Sequence, residues 1–220
     1  MTPFLLVLSS PSGGGKSTIA RQLLQGREDL AYSVSATTRS PRPGEVDGVA
    51  YHFFSAAEFD RRAAAGEFLE WAQYAGQRYG TLRSEVERIL ASGRHAVLDI
   101  EVDGARQVRE RFPAAVQVFI LPPSGDVLVA RLRRRGTEGP VALRRRLEQA
   151  AAELVAAPEY DYTVVNDDLV LAVEQVAAII EAETRRTRRQ PDLADHLLDL
   201  RRDVLLAAAQ FGGTATIPKE

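Results

Sequence analysis

Four short stretches of this chain are almost wholly apolar and lack the alternation of a half-exposed strand: residues 4–8 (Phe-Leu-Leu-Val-Leu), 96–100 (Ala-Val-Leu-Asp-Ile), 115–121 and 162–165 (Tyr-Thr-Val-Val). A strand covered on both faces reads this way, because every side chain meets a packed layer whichever way it points. Segments of helical spacing separate each run from the next. The pattern therefore predicts repeated strand–helix–strand units and a parallel sheet. Between residues 40 and 93 the character changes. A loop with Pro41, Pro43, Gly44 and Gly48 leads into a cluster of aromatics, Tyr51, Phe53, Phe54, Phe59, Phe68, Trp71, Tyr74 and Tyr79, which predicts an inserted lobe with its own small core. Inside it, Ser55 and Glu58 form a capping-box pattern and Gly66 a stop, predicting a helix over about 56–65. A second helix is predicted over 82–92, closed by Gly93. Ser124 is placed to cap a helix that runs into an arginine cluster, and residues 136–140 (Gly-Thr-Glu-Gly-Pro) break it, making that break a candidate lid. From residue 185 the chain is basic, then amphipathic over 192–209, and ends past Gly212 and Gly213 in a polar tip. It contains no internal repeat.

Composition narrows the function. At 220 residues, 45% hydrophobic and 26% charged, the chain is long enough for one sizeable core and is expected to form one compact unit. A formal net charge of -2 gives no cationic surplus to attract nucleic acid or an anionic membrane, and neither is expected as a partner. The chain has no cysteine and three scattered histidines, which argues against disulfides and a zinc centre and suits a cytoplasmic location. The apolar run at 4–8 is too short for a signal peptide, and no run approaches a membrane span.

The chemistry begins at residues 10–18: Ser10, Pro11, Ser12, Gly13, Gly14, Gly15, Lys16, Ser17 and Thr18. They follow a buried strand and open a helix, the context a phosphate-binding loop requires. Glycines let backbone N–H groups turn inward around phosphate oxygens, and the helix N-terminus adds partial positive charge. Lys16 reaches the β- and γ-phosphates of a bound nucleotide, and Ser17 is a ligand for Mg²⁺. The first position of the usual pattern is glycine; here it is Ser10. The loop predicts nucleotide binding and says nothing about the acceptor. Arg39 and Arg42, three residues apart in a loop after a predicted strand, are placed to clamp a phosphate bidentately.

Together with these motifs, the sequence resembles the guanylate kinases over nearly all of residues 4–183. The matching stretches are 12–18, 33–51, Glu67 with Phe68, Leu69, Glu70 and Trp71, Tyr79-Gly80-Thr81, Leu98-Asp99-Ile100, 121–124, Arg135-Gly136-Thr137 and Val165-Asn166-Asp167-Asp168. The resemblance implies an α/β fold with a P-loop NTPase-type parallel sheet core flanked by helices, an inserted mixed α/β GMP-binding subdomain and a short lid. It divides the chain into a core (1–35, 94–125 and 148–184), a GMP-binding lobe (36–93), a lid (126–147) and a C-terminal extension (185–220), partly helical or disordered. It implies that Arg39, Arg42, Tyr51 and Tyr79 hold the acceptor phosphate, with Ser35, Glu70, Thr81 and Asp99 at the base. A carboxylate suits the two adjacent N–H donors of guanine, and hydroxyls suit its carbonyl oxygen. Adenine reverses that pattern and would leave buried polar groups unpaired. His52, His95 and His196 match no functional position in the family. Where the family reads Asp-Ile-Asp and then a glutamine, this chain has Glu101 and Asp103, so no metal or water role is carried over to them.

Residues 131–136 and 144–147 hold seven arginines. By resemblance Arg131, Arg135 and Arg146 close over ATP and the transferring group, Asn166 lies beside the adenine, and the remaining arginines face solvent. Phosphoryl transfer needs positioning and cations, and an acceptor phosphate whose second pKa is about 6 needs no general base. The implied reaction is ATP-dependent phosphorylation of GMP, with dGMP as a further acceptor, with Mg²⁺ as cofactor and Lys16, Arg39, Arg135 and Arg146 in the catalytic role. Oligomeric state, monomer or homodimer, stays open. Two alternatives compete: an inactive guanylate-kinase-like protein-binding module, which would dispense with the loop or lid cations, and a sugar-phosphate kinase, which would have no use for Glu70, Ser35 and Thr81.

Overall fold

A computed structural model describes residues 2–74, 76–135 and 139–210. The break at 136–138, the side chains of Tyr74 and Arg135, and the tail from 211 onward lie outside the described residues.

The elements in chain order are β1 (Leu5–Ser9), α1 (Lys16–Gly26), β2 (Leu30–Tyr32), β3 (Ala36–Thr37), β4 (His52–Phe53), α2 (Ala56–Ala64), β5 (Phe68–Tyr74), β6 (Gln77–Leu82), α3 (Arg83–Ala91), β7 (His95–Asp99), α4 (Val102–Arg111), β8 (Val116–Leu121), α5 (Gly125–Arg135), α6 (Pro140–Leu154), β9 (Tyr162–Val165), α7 (Leu169–Thr184) and α8 (Leu193–Gln210). The larger sheet runs β2-β7-β1-β8-β9 and is parallel throughout. Its central strand explains the apolar runs. Leu6 and Leu8 pack with Ile19 and Leu23 of α1 and Val176 and Ile180 of α7, while Leu5 and Val7 pack with Val86 and Ile89 of α3 and Ala105 and Val108 of α4. Each fully buried aliphatic side chain of this kind contributes roughly 1.5–3 kcal/mol, so a polar residue at any of them would weaken the sheet.

The smaller sheet, β4-β3-β6-β5, carries the lobe. Its core is Phe59, Phe68, Ala36 and Leu82 with Phe54 alongside, fewer aromatics than the cluster in the sequence suggests. Tyr51 and Tyr79 instead line a cavity, and Trp71 is exposed. Helix α2 starts at Ser55, whose hydroxyl accepts the Glu58 amide at 3.1 Å. The Glu58 carboxylate bonds Arg61 and Arg62 on its own helix. Ser124 caps α5 by accepting the Val127 amide.

Two features matter for position. First, all five parallel strands end at one edge of the sheet, and the ladder continues past them: Ile100 N–H donates to Leu8 O and Asn166 N–H to Leu121 O. Ligands of open α/β sheets bind beyond that edge. Second, helices α5 and α6 form a pair with its own apolar contact, Leu128, Leu132 and Ala150, and α5 lies against the glycine loop, since a Cβ on Gly13 would meet Leu132 at 3.2 Å.

After α7 the chain is tied to the core before α8 begins. Arg189 is buried, donates to Ala114 O at 3.1 Å and sits 4.4 Å over the Phe4 ring, while Thr2 N–H donates to Arg189 O. Helix α8 has no buried residue. No helix among the described residues is long and apolar enough to cross a membrane.

Candidate active site

The loop between β1 and α1 is shaped by two left-handed residues, Gly13 (φ 89°) and Gly15 (φ 103°). A side chain at either would be strained, and that backbone turns successive amides toward one concavity. Gly14 N–H closes a turn onto Pro11 O at 2.8 Å. Ser10 is buried, and its hydroxyl donates to the same Pro11 carbonyl at 3.0 Å. With a Cβ on Gly14 placed only 2.7 Å from the Ser10 Cβ, these two positions cannot both carry side chains.

Three distant segments brace the loop. Asn166, just past β9, donates to Gly14 O at 2.9 Å. Arg131 on α5 donates to Asn166 O at 2.9 Å and reaches Gly14 O at 3.5 Å. Glu153 on α6 accepts the Ser12 amide at 2.9 Å, and burial raises its pKa above the usual carboxylate value. No sequence signal singles out Glu153, which lies 141 positions from its partner. A cavity of about 250 Å³ lined by Gly13, Gly15, Thr18, Arg131 and Asn166 adjoins this side of the loop. Lys16 is held by Glu101, Nζ to Oε1 at 2.6 Å, so the residue that departs from the family pattern is the partner of the loop lysine. Asp103 instead pairs with Arg106 at the surface.

A second cavity, of about 360 Å³, joins the loop to the lobe: Lys16, Ser17, Ser35, Tyr51, Glu70, Tyr79 and Asp99 all line it. Glu70 is 5% exposed and accepts the Thr81 hydroxyl at 2.7 Å. The pairing depends on a register shift between β5 and β6, which sets Glu70 opposite Thr81 after Phe68 opposite Leu82; such bulges re-aim side chains. Burial pushes the Glu70 carboxyl up to about 6, against the Thr81 bonds that favour its ionised form. Asp99, at the end of β7, accepts the Tyr32 hydroxyl at 2.6 Å. Tyr32 escaped sequence reasoning because a lone tyrosine in a short strand carries no motif.

Arg39 is oriented by a fork onto Glu45, at 2.8 and 2.9 Å, and stands 5.3 Å over the Tyr51 ring, which meets Tyr79 edge-on at 6.0 Å. Glu45 also accepts the Arg42 amide, and Arg39 holds its carboxyl below the usual range. The loop thus contains its own carboxylate at the guanidinium fork. Arg146 lies on α6; Arg135 ends α5, its side chain outside the described residues.

The described residues include no cluster of three or more acidic or histidine side chains that could hold a metal by itself. Ser17, exposed on the cavity wall with Asp99 and Glu101, offers hard oxygen donors of the kind Mg²⁺ takes when phosphates and water complete its shell.

The sequence model of the family described as guanylate kinase matches residues 3–183. The chain is 52% identical over 185 residues to the guanylate kinase of Symbiobacterium thermophilum, spanning 84% of this chain and 88% of that protein. It is 54% identical over 179 residues to the guanylate kinase of Gloeobacter violaceus, spanning 81% and 87%. Among solved structures it superposes on a guanylate kinase from Anaplasma phagocytophilum with a TM-score of 0.70 at 35% identity, covering 88% of this chain and 93% of that one.

Proposed function

Since the chain belongs to the guanylate kinase family and phosphorylates GMP at the expense of ATP, we propose that the cleft from the glycine loop to the lobe performs the transfer with the residues described above. One observation carries this reading: the loop cation Lys16 and the carboxylates Glu70 and Asp99 line one continuous cavity, so two nucleotides can meet end to end. The loop amides and Lys16 take the donor phosphates, and Lys16 exchanges its Glu101 partner for the nucleotide. Arg131 and Asn166 hold the loop from the nucleoside side. Arg39, Arg42, Tyr51 and Tyr79 take the acceptor phosphate, while Glu70, Ser35 and Asp99 meet the nucleoside; Thr81, buried and donating its one hydroxyl proton to Glu70, holds that carboxylate and has no proton left for the guanine carbonyl. Arg135 and Arg146 add charge from the lid.

Transfer then needs no proton to be removed, because the attacking phosphate oxygen is largely ionised at neutral pH. What the protein supplies is alignment, cations around the equatorial oxygens and exclusion of water. Mg²⁺ is the cofactor that fits Ser17, and its chemistry is neutralisation of charge on the phosphates. dGMP is a second acceptor on this reading, and the cysteine-free chain suits a cytoplasmic enzyme. The test is ADP release with ATP and magnesium, comparing GMP, dGMP, AMP and pentose phosphates. GMP and dGMP should turn over well and AMP poorly; equal rates with a pentose phosphate would refute the assignment of the base-reading residues.

A further inference from the structure

Helix α4 grips β5 on both sides of Glu70. Arg111 donates to Leu69 O at 3.0 Å. Gln107 donates to Trp71 O at 2.9 Å and accepts Trp71 N–H at 3.3 Å, so its amide makes both bonds that another strand would make to this edge of the lobe sheet. Gly104 lies one turn earlier, and the spacing 104, 107, 111 keeps all three on one helix face. A Cβ on Gly104 would stand 2.7 Å from Glu70 Oε2 and 3.3 Å from its Cδ. With the Glu70 carboxylate where it stands, a Cβ at position 104 does not fit.

Nothing in the backbone asks for glycine at this position. Gly104 sits in regular helix, without the positive φ found at Gly13 or Gly15, and helix propensity favours alanine over glycine at such a site. The other atom near the missing Cβ is Ile100 Cδ1 at 3.4 Å, ordinary contact. The obstacle is the carboxylate itself, the free end of a jointed side chain, so a methyl group would move the carboxylate before it disturbed the helix.

We propose that Gly104, Gln107 and Arg111 form a positioning face that sets the Glu70 carboxylate for the guanine edge, with Gly104 supplying the clearance and Gln107 the register. The proposal rests on the reading of Glu70 as the base-contacting carboxylate. Guanine discrimination then depends on a contact between the core and the lobe as well as on the lobe's own residues. Because α4 follows directly on Glu101, the partner of Lys16, one short helix links the donor-phosphate lysine with the base-reading acid.

The experiment is steady-state kinetics on the full chain with GMP and with inosine monophosphate, which lacks the two-amino group that a second carboxylate bond would read. Variants are Gly104→Ala, Gln107→Met, Glu70→Gln and the control Gly26→Ala, whose Cβ would meet nothing within 4 Å. Gly104→Ala should raise KM for GMP at least tenfold and lower the GMP-over-inosinate ratio of kcat/KM at least fivefold. Its KM for ATP and its kcat should stay within twofold, and its melting temperature should match that of Gly26→Ala. Gln107→Met should move the same two quantities the same way by a smaller factor. A Gly104→Ala enzyme with KM for GMP and nucleotide ratio within twofold of the parent overturns the proposal. If Gly104→Ala fails to fold, Gln107→Met decides: a lowered ratio supports the proposal and an unmoved one overturns it. Glu70→Gln separates the two readings. If it leaves the ratio unchanged, the base-reading role of Glu70 fails; if it collapses the ratio while Gly104→Ala does not, only the role of α4 fails.

Discussion

Replacing Glu70 by glutamine should stabilise this protein and cripple it in the same step. The carboxyl is 5% exposed, and burial lifts its pKa from 4.5 to about 6; a rise of that size corresponds to about 2 kcal/mol of folding free energy lost at neutral pH. The sign follows from the direction. A carboxyl with a raised native pKa carries no penalty below its unfolded pKa of 4.5, where both states are protonated, and the full penalty above about 6. Glutamine keeps an oxygen for the Thr81 hydroxyl, held at 2.7 Å in the parent, and removes the buried charge. The variant should therefore be about 2 kcal/mol more stable at pH 7.5, or roughly 4–8 °C in melting temperature for a chain of this size, with the gain vanishing near pH 4. Against that, one amide N–H now faces a guanine N–H. Losing a charge-assisted bond and creating that clash costs about 3–4 kcal/mol, a fall of a few hundredfold in kcat/KM for GMP. Denaturant melts at pH 4, 6 and 7.5 alongside initial-rate assays measure both. A variant less stable than the parent at pH 7.5, or a stability difference that does not change with pH, would refute the reasoning.

Other expectations follow from the donor side and the core. Lys16→Ala should reduce kcat by about a hundred- to a thousandfold, in line with losing a preorganised cation at the transferring phosphate, while circular dichroism stays that of the parent; near-normal turnover would count against the mechanism. Asn166→Ala removes the bond to Gly14 O and should raise KM for ATP by roughly tenfold, the worth of about one hydrogen bond, with KM for GMP unchanged in the same titration. His95 accepts the Phe4 amide at Nδ1, and burial pushes its pKa below 6.5, so its contribution to stability is present above pH 6.5 and lost as pH falls. Urea midpoints from pH 7.5 to 5 should show the parent's advantage over His95→Asn shrinking on acidification, and a constant difference would exclude this role.

The loop and the strands were legible because their causes are local. A run such as residues 4–8 declares a strand covered on both sides, and Gly-Lys-Ser-Thr at residues 15–18 following it declares a phosphate loop, since positive φ at Gly13 and Gly15 is a property of single residues. The cap at Ser55 and the stop at Gly66 are readable for the same reason. Glu70 was legible only by resemblance; in isolation it is one acid among 30 acidic residues. Its place beside Thr81 comes from the β5–β6 register shift and its raised pKa from burial, neither of which a local pattern announces.

Local rules also misjudged the aromatics of the lobe, where Tyr51 and Tyr79 line the cavity: Tyr79 stands opposite Thr37 in the antiparallel β3–β6 pair and Tyr51 precedes β4, bridged to Asp47, placements that strand pairing sets and local sequence does not. By itself the sequence determined the four buried strands, their parallel sheet and the capped start of α2, and it marked out the glycine loop, all of which depend on neighbours a few residues apart. The tertiary structure alone decided that Glu153 braces Ser12, that Glu101 holds Lys16, that Tyr32 meets Asp99 and that Gly104 clears the way for Glu70. Each of these is a contact between segments tens of residues apart, and its energy depends on distance and burial, which exist only once the chain has closed on itself.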